Sequence, residues 1–162
     1  MYKRQGYYRS NNKFRITSGQ NVSSVLKREG EWGILAIQEN SELTIDNITL
    51  DGSGTCQCLF ISNNGKVTIG NGATIQNFVD TDKESGPAIH VTGGTLNILP
   101  GATIQNNNSN TQGGVIQAYN GTTVNISGGT FSNNESNTSD GGSVSYTHLD
   151  VYKRQSIWRA KI

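Results

Sequence analysis

Apolar residues in this chain come in short alternating runs, and the runs recur. A first set of apolar-x-apolar pairs is Leu35/Ile37, Leu59/Ile61, Ile89/Val91 and Ile116/Ala118. A second set follows each of these: Leu43/Ile45, Val67/Ile69, Leu96/Ile98 and Val124/Ile126. A single apolar position closes each unit, at Leu50, Ile75, Ile104 and Phe131. The repeat is nearly literal in places, since Gly72-Ala73-Thr74-Ile75-Gln76-Asn77 returns as Gly101-Ala102-Thr103-Ile104-Gln105-Asn106, offset by 29 residues. No segment keeps apolar residues at the i, i+3, i+4, i+7 spacing of a helix. Each unit therefore reads as three short strands of period two, separated by Gly/Asn/Ser turns.

Strands of this length cannot bury one face alone, but coiled into rungs they stack their inward residues into a continuous core. Like would lie on like, with parallel pairing at about 4.8 Å per step. The expected fold is all-β: a right-handed parallel β-helix, or solenoid, of about four rungs with three strands each, incomplete at both ends. A β-sandwich or propeller is the structural alternative. It needs antiparallel hairpins, which near-identical successive units do not favour. Stacking also aligns polar residues. Asn77, Asn106 and Asn133 share a column after the third strand, where side-chain amides can bond one to the next as a structural ladder. The glycine pairs at 93–94, 113–114, 128–129 and 141–142 read as turns that need positive φ.

The two ends do not follow this pattern. Tyr2-Lys3-Arg4-Gln5 recurs as Tyr152-Lys153-Arg154-Gln155. The stretch from Ser145 to Gln155 resembles translated sequencing-adapter read-through, a contaminant of proteins predicted from metagenomes. Residues 1–5 are accordingly assigned to an adapter artefact, and 145–162 to the same artefact with an unrelated tail. Residues 32–144 are the rungs. Residues 6–31, with Phe14-Arg15-Ile16 and Val22 to Leu26, form an irregular opening segment, expected to be solvated and loosely packed.

Composition narrows the function. Charged residues make up only 15% of the chain and hydrophobic ones 33%, a mixture that would suit a disordered linker were it not so periodic. Six of the 13 Lys/Arg and one of the 12 Asp/Glu lie in the excluded ends. The body keeps seven basic and eleven acidic residues, a net charge of −4. Nucleic acid is thus not an expected partner, because its recognition needs a basic field. No membrane span is expected in this fragment. Arg9, Lys13, Arg15, Lys27 and Arg28 gather in the opening segment, where a solvated surface is preferred to a polyanion site.

With the rungs aligned, a family likeness emerges. Gly113-Gly114-Val115-Ile116 followed by Phe131-Ser132-Asn133-Asn134 resembles the Gly-Gly-small-apolar and Phe-x-x-Asn motifs of polymorphic outer-membrane-protein repeats. Gly86-Pro87-Ala88-Ile89 and Gly141-Gly142-Ser143-Val144 are degenerate copies, and Ile75 and Ile104 stand where the Phe would be. Leu43 to Gly52 looks similar to repeat proteins of gut anaerobes. The likeness spans about residues 14–144. It implies a pectate-lyase-like superhelix in a secreted or cell-surface bacterial protein, an adhesin or structural stalk whose partners are surface glycans or proteins. A fold hosts many functions, so the ligand is not selected by it.

The same superhelix carries polysaccharide lyases and glycoside hydrolases, which place their acids on an outer face, and glycoside hydrolysis needs two facing carboxyl groups. The outward positions of the first strand column are Ala36, Phe60, His90, Gln117 and Ser143, with no acidic cluster. His90 reads as a plain surface residue, and Asp51 is alone at a turn where later units have Gln76, Gln105 and Ser132. No catalytic residue and no cofactor is assigned. The alternative to a non-catalytic module is a fragment of a carbohydrate-active enzyme that lacks its catalytic rungs. Asp80, Asp82 and Glu84 are the one acidic cluster and a calcium candidate, but they lack the glycine and distal acid of an EF-hand loop, so a solvated loop is preferred. Cys56 and Cys58 have neither zinc spacing nor a second pair, and an i, i+2 disulfide between them would be strained.

Overall fold

A computed structural model describes residues 6–8, 11–27, 33–55, 59–80, 88–110, 115–119, 121–137 and 144–146. The strands run in successive sets. The first is β1 (Gly6–Tyr8), β2 (Lys13–Thr17) and β3 (Val25–Lys27). The second is β4 (Leu35–Ile37), β5 (Glu42–Asp46) and β6 (Thr49–Thr55), and the third β7 (Leu59–Ile61), β8 (Gly65–Ile69) and β9 (Thr74–Phe78). The fourth comprises β10 (Ile89–Val91), β11 (Gly94–Ile98) and β12 (Thr103–Gln105), with a short β13 (Asn108–Ser109). The fifth comprises β14 (Ile116–Ala118), β15 (Thr123–Ile126), β16 (Thr130–Ser132) and β17 (Glu135–Ser136), and β18 (Val144–Tyr146) follows. There is no helix among the described residues.

The strands stack into three parallel columns, β1-β4-β7-β10-β14-β18, β2-β5-β8-β11-β15 and β3-β6-β9-β12-β16. The protein is a parallel β-solenoid. Equivalent repeat positions lie in register: Val67 beside Leu96 beside Val124, and Ile69 beside Ile98 beside Ile126. The third column aligns Leu26, Leu50, Ile75, Ile104 and Phe131 in the same way. Because successive strand residues point to opposite faces, this register sends every apolar member inward. Leu59, Ile61, Ile69, Ile75, Ile89, Val91, Leu96, Ile98 and Ile104 are fully buried. Phe14, Ile16, Val124, Ile126 and Phe131, on the outermost rungs, are only partly covered.

Two details concern the ends of the stack. The opening segment contains a complete set of strands, with Lys13, Phe14, Arg15, Ile16 and Thr17 paired residue for residue with Glu42 to Asp46. Its basic side chains are partly neutralised there, by a Lys13–Glu42 ion pair at 3.4 Å and an Arg15–Asp46 pair at 2.9 Å. In addition, Val144 pairs with Ile116 and Ser145 with Gln117, so β18 runs across the 144/145 boundary, and Ser143 lies outside the described residues.

Asparagine does much of the turning. Asn47, Asn63, Asn64, Asn77, Asn106 and Asn133 all have positive φ, between 47° and 63°, a region Asn tolerates better than other L-residues with a Cβ. Gly94 and Gly129 have positive φ while their neighbours Gly93 and Gly128 do not. The pairs at 113–114 and 141–142 lie outside the described residues. Gly65 and Gly94 face each other across β8 and β11, and a Cβ on either would collide with a carbonyl oxygen of the preceding rung, that of Ile37 or of Gly65.

Candidate functional site

The asparagine columns come first, because two of them lie side by side. Asn133 donates from Nδ2 to Asn106 Oδ1 at 3.3 Å, while Asn77 donates instead to Asp51 Oδ2 at 3.1 Å. Both Asn106 and Asn133 are exposed. The amides that enter the wall are one residue further on. Asn107, 1% exposed, accepts the Phe78 amide on Oδ1 at 3.0 Å. Its Nδ2 donates to the Ile75 carbonyl at 3.2 Å and to Asn134 Oδ1 at 3.0 Å. Asn134 repeats the pattern, accepting the Asn107 amide at 3.2 Å and donating to the Ile104 carbonyl at 2.9 Å. Positive φ at Asn106 and Asn133 turns the chain so that the following side chain enters the wall and closes the rung beneath. The Asn-Asn doublets at 106–107 and 133–134 were the available signal.

On the outer face of the third column, Lys27, Asp51, Gln76, Gln105 and Ser132 lie in register. Asp51 Oδ1 accepts the Ser53 amide at 2.7 Å, and Oδ2 accepts Gln76 Nε2 at 3.0 Å beside the Asn77 amide. Gln105 Nε2 then donates to Gln76 Oε1 at 3.0 Å. Burial pushes the Asp51 carboxyl up. The donors Gln76, Ser53 and Asn77 with the Lys27 charge outweigh it and hold the pKa below its ordinary value of 3.8. Asp51 is thus an ionised anchor for a bulge, where register shifts between Asp51 and Thr55. Such a carboxylate is poorly suited to act as a general acid, which needs a raised pKa.

In the first column the outward positions are more sheltered than a surface assignment allows. Ala36 is 2% and Gln117 8% exposed. His90 is half-buried, not a plain surface residue. Its ring meets Phe60 edge-on at 5.6 Å between centroids and lies tilted against Tyr119 at 5.2 Å. Both ring nitrogens are buried without a hydrogen-bond partner, and burial holds the pKa below its ordinary value of 6.5. His90 is therefore a neutral imidazole in an aromatic stack. The described outward neighbours Ala36, Phe60 and Gln117 offer it no carboxylate to complete an acid–base pair.

Asp80, at the start of the acidic cluster, is itself 1% exposed. Its amide donates to the Asn108 carbonyl at 2.9 Å and its carbonyl accepts Asn110 Nδ2 at 2.7 Å. Asp82, Glu84, Cys56 and Cys58 lie outside the described residues. Among the described residues, no three His, Cys, Asp or Glu are grouped to hold a metal, and no helix is long and apolar enough to cross a membrane. The fold thus defines the class, a parallel β-solenoid with polar side-chain ladders on its outer faces. Compared with known proteins, the chain matches no family model, no curated protein and no solved structure.

Proposed function

We propose that this chain is a non-catalytic repeat module of a secreted or cell-surface bacterial protein, an adhesin or structural stalk of the pectate-lyase-like kind. The observation that supports this reading is the continuity of its ladders. The same inward column runs through every rung, and outward residues are bonded to their equivalents one rung away, as in Asn125 to Asn97 at 2.9 Å and Gln105 to Gln76 at 3.0 Å. Stacked rungs add rigidity along one axis, the property a spacer needs. The outer faces of the later rungs are rich in Thr, Asn and Gln, a chemistry that suits contact with glycans or with another protein surface.

The competing reading, a fragment of a carbohydrate-active enzyme, predicts turnover. The test is incubation of the chain with pectin, polygalacturonate, xylan and mucin glycans, scoring new reducing ends and unsaturated uronates. A non-catalytic module leaves all of them intact while chain-coated beads still attach to a glycan-bearing surface. Release of product above that of a heat-denatured control would overturn the proposal.

A further inference from the structure

We infer that the corner between β2 and β3 is a binding site for a neutral saccharide. The inference rests on the adhesive reading above and names the class of ligand such a module would hold. Its basis is a departure from the repeat. Only two residues, 47–48, connect β5 to β6, whereas seven, 18–24, connect β2 to β3. At the same corner the later connections, 70–73, 99–102 and 127–129, are also shorter than this one, and loops are where binding groups are commonly carried.

The longer loop is built. Ser18, 9% exposed, accepts the Ser24 amide on Oγ at 3.0 Å, which closes the neck of the loop. The Val22 amide donates to the Gly19 carbonyl at 3.3 Å, and Asn21 holds a φ of 58°. Ser18 and Ser24 are also tied to the rung below, through Ser18 amide to Asn47 carbonyl at 3.3 Å and Thr49 amide to Ser24 carbonyl at 3.0 Å. Between loop and rung lies a groove of about 490 Å³, within the size range of small-molecule sites. Its polar walls are Asn21, Ser23, Asn47 and Thr49, and its apolar surfaces are Val22 and Ile48. Gly72 borders it, and a side chain there would press on Asn47.

Two properties select the ligand. First, among the described residues the side chains of Asn21, Ser23, Asn47 and Thr49 have no hydrogen-bond partner and face solvent at the groove, whereas many amides on the ladders are committed to one another. Amides and hydroxyls each offer both donor and acceptor, as do sugar hydroxyls. Second, the lining carries no charge, and the nearby Arg15 and Asp46 are bonded to each other. Among the described lining residues an anionic or cationic ligand finds no counter-ion. Val22, 55% exposed, supplies an apolar surface for the C–H face of a pyranose.

The experiment is titration of the full chain, labelled with 15N, with cellobiose, lactose, maltose and N,N′-diacetylchitobiose. Amide shifts confined to 19–24, 47–49 and 72 with at least one of these are expected. Ser23→Ala, Thr49→Val and Asn47→Gly (a change compatible with positive φ) should each weaken that binding about three- to tenfold. Thr103→Val, on the same outer face two rungs away, should leave it unchanged. Absence of shifts with all four sugars, or shifts that the three groove variants do not weaken, would overturn the inference while leaving the non-catalytic reading intact. Cleavage of a bound sugar would instead overturn that reading.

Discussion

Replacing Asn107 by alanine separates the two asparagine columns, and the structure sets the magnitude. The Asn107 side chain makes three hydrogen bonds: it accepts the Phe78 amide and donates to Ile75 carbonyl and to Asn134 Oδ1. A typical bond of this kind is worth about 1 kcal/mol net, but a buried donor left unmade costs about 1–3 kcal/mol. Phe78 is fully buried, so water cannot readily reach its stranded amide. The expected cost of Asn107→Ala is therefore about 3–5 kcal/mol, a large share of the stability of a domain this size. Asn106→Ala loses only the acceptor for an exposed bond at 3.3 Å, with φ of 55° as its main penalty; that conformation costs an alanine about 1–2 kcal/mol. Asn106→Gly should restore most of this loss. Urea melts followed by far-UV circular dichroism measure all three. Because rungs couple only to neighbours, the loss extends to local unfolding of the fourth rung, and hydrogen exchange at Phe78 reports it directly. If Asn106→Ala proved the more damaging, or Asn107→Ala cost less than about 1 kcal/mol, the assignment of Asn107 as the closing amide would be refuted.

Ile98→Asp should abolish cooperative unfolding of the central rungs, since it puts an unpaired charge into a fully buried stack; a melt within a few degrees of the parent would contradict the core assignment. His90 carries a pH signature. Its folded pKa lies below its ordinary 6.5, so the unfolded chain takes up the proton first, and stability is full above that value and declines as pH falls below it. His90→Phe should flatten this slope between about pH 7 and 5, and an unchanged slope would refute the effect of burial. Asp51 has the opposite arrangement of charge: its lowered pKa stabilises the fold above pH 3.8 and the benefit is lost as pH falls through the folded value. Asp51→Ala should cost about 2 kcal/mol at neutral pH by stranding Gln76 and the Ser53 amide, and an acid melt as steep as that of the parent would count against it.

The inward columns were legible because two periodicities agree. Alternation of two along each strand says which residues face in, and an offset of 28 or 29 says which of them stack; Val67, Leu96 and Val124 satisfy both. What was not legible depends on geometry that neither period encodes. Asn106-Asn107 is a doublet of one residue type, and only the positive φ of the first decides that the second turns into the wall. Phe78 fills the equivalent place one rung earlier and borrows its hydrogen bond from Asn107, so the column changes chemistry along its length. Ala36, His90 and Gln117 occupy outward positions as expected but are sheltered, because burial of an outward residue depends on what crosses the face rather than on the strand it belongs to. The 18–24 loop was similarly hidden. Its sequence is polar and unremarkable, and only its closure against Asn47 and Thr49 makes a groove.

These misses share a physical cause that bears on where a solenoid can bind anything. A ladder is stable because each rung's polar side chains are satisfied by the next: Asn125 by Asn97, Gln105 by Gln76, Asn133 by Asn106. The same satisfaction leaves such residues less to offer a ligand, since any new hydrogen bond must first displace an existing one, for little net gain. Uncommitted donors and acceptors arise where a rung stops matching its neighbour, as when the β2–β3 loop outgrows the β5–β6 turn and leaves Asn21 and Ser23 with no equivalent beneath them. Repeat regularity and recognition are therefore in opposition along this chain, and irregular corners are the places to mutate first. Grafting a two-residue connection in place of 18–24 would extend the regular ladder by one corner. It should leave the solenoid at least as stable, because a shorter loop loses less entropy on ordering, while removing the groove and its ligand shifts together. A graft that lost stability but kept those shifts would mean that the binding groups belong to the regular faces after all.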